Sequence, residues 1–309
     1  MSESASTLAY AGGTPALLPR RGIMSLMEFW FRLCPWVGRI LVMKVVRFLT
    51  EDAHARFGAD YQDGSAELLE GAIPIGFTPT GQRVKVKELL SPVLPVNIFC
   101  IGLNYQEHAR ETGSELPQYP IVFMKPTTTV IAPNEPIPLP KSCTRGPEVD
   151  FEGELAVIIG DTARDAREDD ALRHVFGYTV ANDVSARKWQ RNAGGKQWIR
   201  GKGFDGFCPL GPVMVTADEI PDPQALAMRT WVNGEIMQEN TTGDMIFSVA
   251  RLIAYLSQDT TLLPGTIILT GTPWGVGYVR KPPRFLEDGD EVTVEIDGIG
   301  RLANPVRGT

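Results

Sequence analysis

The sequence predicts a strand-rich α+β fold, and three observations carry that prediction. Two dipeptides that favour tight hairpins, Asn233-Gly234 and Asp297-Gly298, are each flanked by alternating apolar and polar residues. Short apolar runs bounded by turn residues, such as MKVVRFLT from Met43 and ELAVIIG from Glu154, have the length of strands. Helical periodicity is confined to a few segments. The clearest is Asp244 to Gln258, where Met245, Ile246, Val249, Leu252, Ile253 and Leu256 share one face.

Taken in order, residues 1 to 20 are small and polar, and Ile23 to Val42 is apolar but interrupted by Glu28, Arg32, Pro35 and Arg39. Those charges argue against a membrane span. Four Arg against two Glu in residues 1–42 fit an organellar presequence; a dispensable extension before an internal start at Met43, or a membrane-surface helix, fits as well. Residues 43–92 read as a small N-terminal domain of short strands, with turn signals at Gly58 and Asp63-Gly64 and a short helix expected over Val84 to Leu90. Pro92 to Pro95 reads as a linker into a larger domain spanning residues 93–309. There VNIFCIGLNY is a buried strand, and YQEHARETG is a short helix ended by Gly113. Pro117 to Pro140 holds loops and edge strands, since proline cannot donate to a ladder. ARDAREDDALRHVFG reads as an amphipathic helix, and YTVANDVSA as a strand ending in a turn.

The net charge of −7 and the lack of a Lys/Arg stripe interleaved with aromatics argue against nucleic acid as a partner. Cys34, Cys100, Cys143 and Cys208 form no CxxC pair, so reduced thiols are expected, without zinc or a disulfide framework. A cytoplasmic location follows, or a mitochondrial one if residues 1–42 are a presequence.

The stretch PEVDFEGELAVIIG, Pro147 to Gly160, sets the chemistry. Glu152 and Glu154 stand at i and i+2, on one face of a strand entering a core, and two carboxylates there must be offset by a proton, a basic residue or a cation. No Lys or Arg lies within the stretch, and an all-oxygen site suits Mg2+, with Mn2+ or Ca2+ as substitutes; taken alone, an E-x-E pair also fits a solvated strand edge. In ANDVSARKWQ, Asp183, Arg187 and Gln190 fall on one face if a helical turn follows the strand; Asp183 as a simple cap is an equal reading. His108 and Glu111, at i and i+3, suit a general base whose tautomer is set by the carboxylate, or an ordinary surface pair. His54 and His174 are read as structural. Lys125 in FMKP and Lys202 in RGKGFDGFCP suit cations held near a small anion, or ordinary solvated side chains. Thr272 in LTGTPWGVG sits in a glycine-loosened loop that suits anion binding, without a nucleotide signature, or that simply turns a corner; the two readings are equal.

In this order GLNYQEHARE, FMKP, DFEGELAVIIG, ANDVSARKWQ, GKGFDGFCPLGP, VNGE, MIFSVARLIAYLS and ILTGTPWGVG resemble the fumarylacetoacetate hydrolase family, in its acylpyruvase and oxaloacetate-decarboxylase-like branch, from about Met43 to the C-terminus. The resemblance implies a mixed β-sandwich roll with a small N-terminal cap, a divalent cation and a homodimer. It implies Glu152, Glu154 and Asp183 as metal ligands, His108, Glu111 and Lys202 as the catalytic set, and Lys125, Arg187, Gln190 and Thr272 as substrate contacts. Two positions depart from patterns in other members: Asn104 stands where some have a fourth acidic ligand, and Asp150 where others have His. The implied activity is cleavage of a C–C bond in a 2-oxo acid through a metal-stabilised pyruvate enolate, by acylpyruvate hydrolysis or oxaloacetate decarboxylation. Isomerisation or hydration of a dienoic 2-oxo acid, and a metal-binding homologue without catalysis, are the alternatives.

Overall fold

The computed structural model describes residues 43–308 apart from positions 194 and 196, so the readings of residues 1–42 lie outside the described residues. The described residues open with an antiparallel meander, β1 (Lys44–Leu49), β2 (Ala55–Gln62), β3 (Ser65–Ala72) and β4 (Gly76–Lys85), after which β5 (Glu88–Leu90) pairs back onto β1. Residues 84–90, expected to be helical, are therefore extended. Val84 and Val86 alternate toward Val46, Phe48 and Ala66, a period of two that fills a small satellite core.

β6 (Ile98–Gly102) leads into α1 (Gln106–Thr112), which stops at Gly113 because that residue takes the left-handed conformation, φ 66°. Next come β7 (Ile121–Met124), β8 (Val130–Ile131), β9 (Ile137–Leu139), β10 (Val149–Asp150) and β11 (Gly153–Ile159). The segment Glu168–His174 is a 3-10 helix and not the expected α-helix; its buried residues, Ala171 and His174, stand three apart, the spacing a 3-10 turn stacks on one side. β12 (Val175–Asn182), β13 (Ser185–Ala186), α2 (Trp198–Lys202) and β14 (Cys208–Thr216) follow. The hairpin of β15 (Ala227–Val232) and β16 (Glu235–Thr241) turns at Asn233-Gly234, both with positive φ. α3 (Val249–Leu256) is shorter than its periodicity suggests. It begins where Ser248 Oγ accepts from the N–H of Arg251, while Ile246 donates its N–H to Asn104 O. β17 (Ile267–Leu269) precedes the hairpin of β18 (Glu291–Ile296) and β19 (Gly300–Gly308).

The strands form two large layers. One sheet runs β4-β3-β2-β1-β14-β12-β11-β17-β6-β7, with β5 on β1 and β8 on β14; the other runs β16-β15-β18-β19-β9. Leu155, Val157 and Ile159 of β11 face a core shared with Met228, Val292, Val294 and Leu302 of the smaller sheet, whereas Ala156 and Ile158 face a second core closed by Leu69 and Phe77. A strand buried on both faces explains why β11 reads as a continuous apolar run.

Candidate active site

The site grows from a gap in one ladder. β11 and β12 pair as far as Gly153↔Asn182, and β10 and β13 resume the pairing at Asp150↔Ser185. Between them lie Glu152 and Asp183. Asp183 donates its backbone N–H to Glu152 O at 2.8 Å, and the Asn182 side chain accepts from the Glu152 N–H at 3.0 Å, so the two acid-bearing segments are stitched together. Glu154 follows in β11, on the face of Ala156 and Ile158. One carboxylate oxygen from each of Glu152, Glu154 and Asp183 lies within 4.8 Å of the others. Three buried carboxylates gathered this closely offer the all-oxygen donor set that a hard divalent cation such as Mg2+ or Ca2+ prefers.

Cations from distant segments surround this triad. Lys202 Nζ donates to Glu152 Oε2 at 2.8 Å, Asp183 Oδ2 at 2.7 Å and Ser185 Oγ at 2.7 Å. Lys125 Nζ donates to Asp183 Oδ1 at 2.6 Å and to the Val184 carbonyl at 3.2 Å. Arg187 donates through Nη1 to Glu152 Oε1 at 2.5 Å and to Gln190 Oε1 at 3.2 Å, and through Nε to Asp150 Oδ2 at 2.8 Å. Basic residues thus supply part of the compensation that the Glu152–Glu154 pair demands, from positions outside its own stretch.

Asp150, Glu152 and Asp183 are matched by Lys125, Arg187 and Lys202, which leaves Glu154 as the surplus negative group. The titration behaviour follows. Burial pushes Glu154 well above the usual carboxylate range, and Asp183 and Glu152 push it further. Burial also raises Glu152, but Lys202 and Arg187 outweigh it and hold its carboxyl at about 2. Burial pulls Lys202 down, yet Asp183 and Glu152 hold its ammonium above the ordinary range. Glu154 also accepts the Gly271 N–H at 2.7 Å.

Asp183, Arg187 and Gln190 do converge, but not on an α-helical face: β13 intervenes, and Trp189–Ala193 forms a π-helical turn. α2 packs closely on that turn, and a Cβ on Gly201 would run into the Gln190 backbone. Without a side chain at Gly201 the two segments approach closely, and Lys202 and Gln190 line the same cavity.

Glu152, Arg187, Gln190, Lys202, His108 and Thr272 line one cavity of about 370 Å3, with Phe123, Trp198, Arg191 and Tyr278 among its other walls. Lys125 does not line it; the lysine is wholly buried against Asp183. His108 Nδ1 lies 3.2 Å from Glu111 Oε2, and Glu111 accepts the Gly275 N–H at 3.0 Å, so the loop after β17 fixes the pair. Thr272 donates its hydroxyl to the Gly153 carbonyl at 3.0 Å and accepts from Gln238 Nε2 at 2.8 Å. Asn104 is occupied structurally, donating to Thr270 O at 2.7 Å and accepting from Phe247 N at 2.8 Å. His54 is exposed beside Asp52, and His174 is buried in the 3-10 helix, both away from this cavity.

The sequence assigned no role to three participants. Gln238 ties Gly153 to Thr272, Asp150 anchors the backbone N–H groups of Gly277 and Tyr278, and the Tyr278 ring lies under the guanidinium of Arg187, 4.4 Å from its centroid. Asp150 stood out in the sequence only as a departure from the family pattern, and Gln238 left a weak signal as a polar residue in the strand after the Asn233-Gly234 turn.

Comparison with known proteins agrees with this architecture. A family profile described as fumarylacetoacetate (FAA) hydrolase C-terminal matches residues 97–307. The chain is 49% identical over 292 residues to oxaloacetate tautomerase fahd2, mitochondrial, of Xenopus laevis, covering 86% of this chain and 91% of that protein. Among solved structures, fumarylacetoacetate hydrolase (EaFAH) of psychrophilic Exiguobacterium antarcticum is 38% identical, with a TM-score of 0.76 over 86% of this chain and 100% of that one. A 2-hydroxyhepta-2,4-diene-1,7-dioate isomerase from Mycobacterium marinum is 38% identical, with a TM-score of 0.74 over 86% and 99%. With the strand-rich fold and the buried acid cluster in place, the profile and these identities show that the chain belongs to the fumarylacetoacetate hydrolase family.

Proposed function

We propose that the protein processes a 2-oxo acid of the oxaloacetate class through its enolate, in a site where Glu152, Glu154 and Asp183 hold a divalent cation, Mg2+ in the first place. The observation that carries this reading is the single cavity that gathers His108, Glu152, Arg187, Gln190, Lys202 and Thr272 from separate segments. When bound, the cation supplies Lewis-acid stabilisation of the negative charge the 2-oxo acid develops.

The chain's own residues supply the rest. With its Nδ1–H directed to Glu111, His108 presents an Nε2 lone pair, which takes a proton from C3 in tautomerisation or from a water in hydrolysis. Lys202, which donates to Glu152, Asp183 and Ser185, places a positive charge on the cavity wall where it stabilises the developing enolate. Lys125 positions Asp183 from beneath. Arg187 and Gln190 orient the substrate, and Thr272, its hydroxyl proton committed to Gly153, offers its remaining lone pair.

Enolate formation is common to three outcomes: tautomerisation of oxaloacetate, favoured by the name of the Xenopus laevis relative; decarboxylation of oxaloacetate; and hydrolysis of an acylpyruvate. The Mycobacterium marinum neighbour adds isomerisation of a dienoic 2-oxo acid. Mg2+-loaded protein given oxaloacetate, acetylpyruvate and a dienoic 2-oxo acid separates them. Loss of enol absorbance without pyruvate is tautomerisation, pyruvate with carbon dioxide is decarboxylation, and pyruvate with acetate is hydrolysis. No turnover of any substrate by the wild type overturns the enzymatic reading in favour of a metal-binding homologue.

We infer a mitochondrial location from the relative's name together with the four Arg and two Glu of residues 1–42. No helix among the described residues is long and apolar enough to cross a membrane. We also infer a homodimer, supported by the edge strand β7, where Ile121, Val122 and Met124 are 37–39% exposed; light scattering tests it.

A further inference from the structure

The cavity holds more positive charge than the proposed chemistry uses. Lys202 and two of the three Arg187 nitrogens are committed to Asp150 and Glu152 or Asp183. Arg191 is not. Its guanidinium lies 4.2 Å from the centroid of the Tyr278 ring, the ring that also carries Arg187, and among the described residues it has no carboxylate or hydrogen-bond partner. A stacked arginine keeps its in-plane N–H groups free, so contact with the ring orients it without satisfying it.

Two further donors stand nearby without acceptors. Arg187 Nη2 is buried and has no partner among the described residues, an arrangement that costs free energy unless something accepts from it. Gln190 uses Oε1 to accept from Arg187 Nη1, and its Nε2 has no acceptor among the described residues. Arg191, Arg187 and Gln190 all line the cavity, and so do the uncharged side chains of Phe123, Trp198 and Ile121. N–H donors are therefore concentrated on the wall at Tyr278, and a planar carboxylate is the group that answers several such donors at once.

We propose that Arg191, held on Tyr278 beside Arg187 and Gln190, reads a second carboxylate on the substrate, so that the cavity selects 2-oxo dicarboxylates over 2-oxo acids with neutral tails. This subsite rests on reading the cavity as a 2-oxo acid site. It assigns a role to a residue that the acid cluster and the His108–Glu111 pair leave unused, and it separates oxaloacetate from the acylpyruvates.

The test needs a readout that does not depend on turnover. Malate and lactate both present a 2-hydroxy acid and differ in the distal carboxylate, and neither is cleaved by the proposed chemistry. Calorimetric titration of the Mg2+-loaded full chain is expected to show malate bound roughly tenfold or more tighter than lactate, the scale of a charge-assisted pair. In Arg191→Gln that preference falls to near unity, and Arg191→Lys, which keeps the charge but loses the fork, restores part of it. General damage to the fold would lower both affinities and leave their ratio alone. A wild-type preference that persists undiminished in Arg191→Gln, or no preference in the wild type, overturns the proposal. If malate is preferred through Arg191 but no 2-oxo acid is turned over, the subsite stands and the enzymatic reading falls.

Discussion

Arg187 donates its Nε to Asp150 at 2.8 Å, and the same carboxylate takes the backbone N–H groups of Gly277 and Tyr278, so one buried pair joins the cavity wall to the loop that frames it. Asp150→Asn removes the charge and keeps the shape. A buried guanidinium is left short of a partner, a loss worth about 3–5 kcal/mol. Urea unfolding is expected to show a drop of that order; a change under about 1 kcal/mol would mean that Glu152 alone satisfies Arg187.

His108→Gln keeps a polar side chain in the cavity but removes the titrating nitrogen. The expected result is a fall in kcat of about 10²–10⁴ for enolisation of oxaloacetate, with Mg2+ affinity retained. Glu111→Gln should lose less, because it disturbs the tautomer of His108 without removing the base. Equal Mg2+-dependent turnover in His108→Gln and wild type would assign the proton to another group.

The three-against-three charge match makes opposite predictions for neighbouring carboxylates. Glu154→Gln removes the surplus negative group, so the metal-free protein should melt at the same temperature as wild type or higher, and it should lose the Mg2+-induced rise. Glu152→Gln strips a partner from Lys202 and Arg187 and should melt lower. In the wild type, Mg2+ at 100 times its dissociation constant is expected to add about 2.7 kcal/mol of stability. The account fails if metal-free Glu154→Gln is the less stable of the two variants.

What the sequence disclosed of this site, and what it withheld, follows from how far each interaction reaches along the chain. Glu152 and Glu154 sit two apart on a strand whose apolar run is visible, and Asp183 follows a strand of the same kind. Alternation and turn chemistry are local, so the hairpins at Asn233-Gly234 and Asp297-Gly298 were legible too. The neutralisation of the acids was not: Lys202 reaches Glu152 across 50 positions and Gln238 reaches Gly153 across 85, with no periodicity to link them. Residues 84–90 and 168–174 were misread for a related reason. Each is short, and which surface it packs against, the Phe48 satellite core or α3, decides between extended, 3-10 and α backbone. Arg191 left no mark, since a lone arginine after Gln190 reads as a solvated side chain; in the fold it does stay exposed, and only the Tyr278 ring beside it sets it apart.

Beneath the acid cluster lies a buried thiol whose titration gives a pH test. Burial pushes Cys208 up to about 12; Lys125 pulls the other way, and Asp183 adds to the rise. A thiol raised in the folded state keeps its proton longer there than in the unfolded chain. Its contribution is therefore fully present below the unfolded value, near 9, and is lost as pH rises from there toward about 12. Between about pH 8 and pH 10.5 the difference amounts to roughly 2 kcal/mol. Denaturant unfolding of wild type and Cys208→Ala at both pH values isolates it, because the cavity left by the substitution is common to the two conditions and cancels in the comparison. The wild type is expected to lose about 2 kcal/mol more than the variant on going to the higher pH; equal losses would show that the Cys208 thiol titrates near its ordinary value despite its burial.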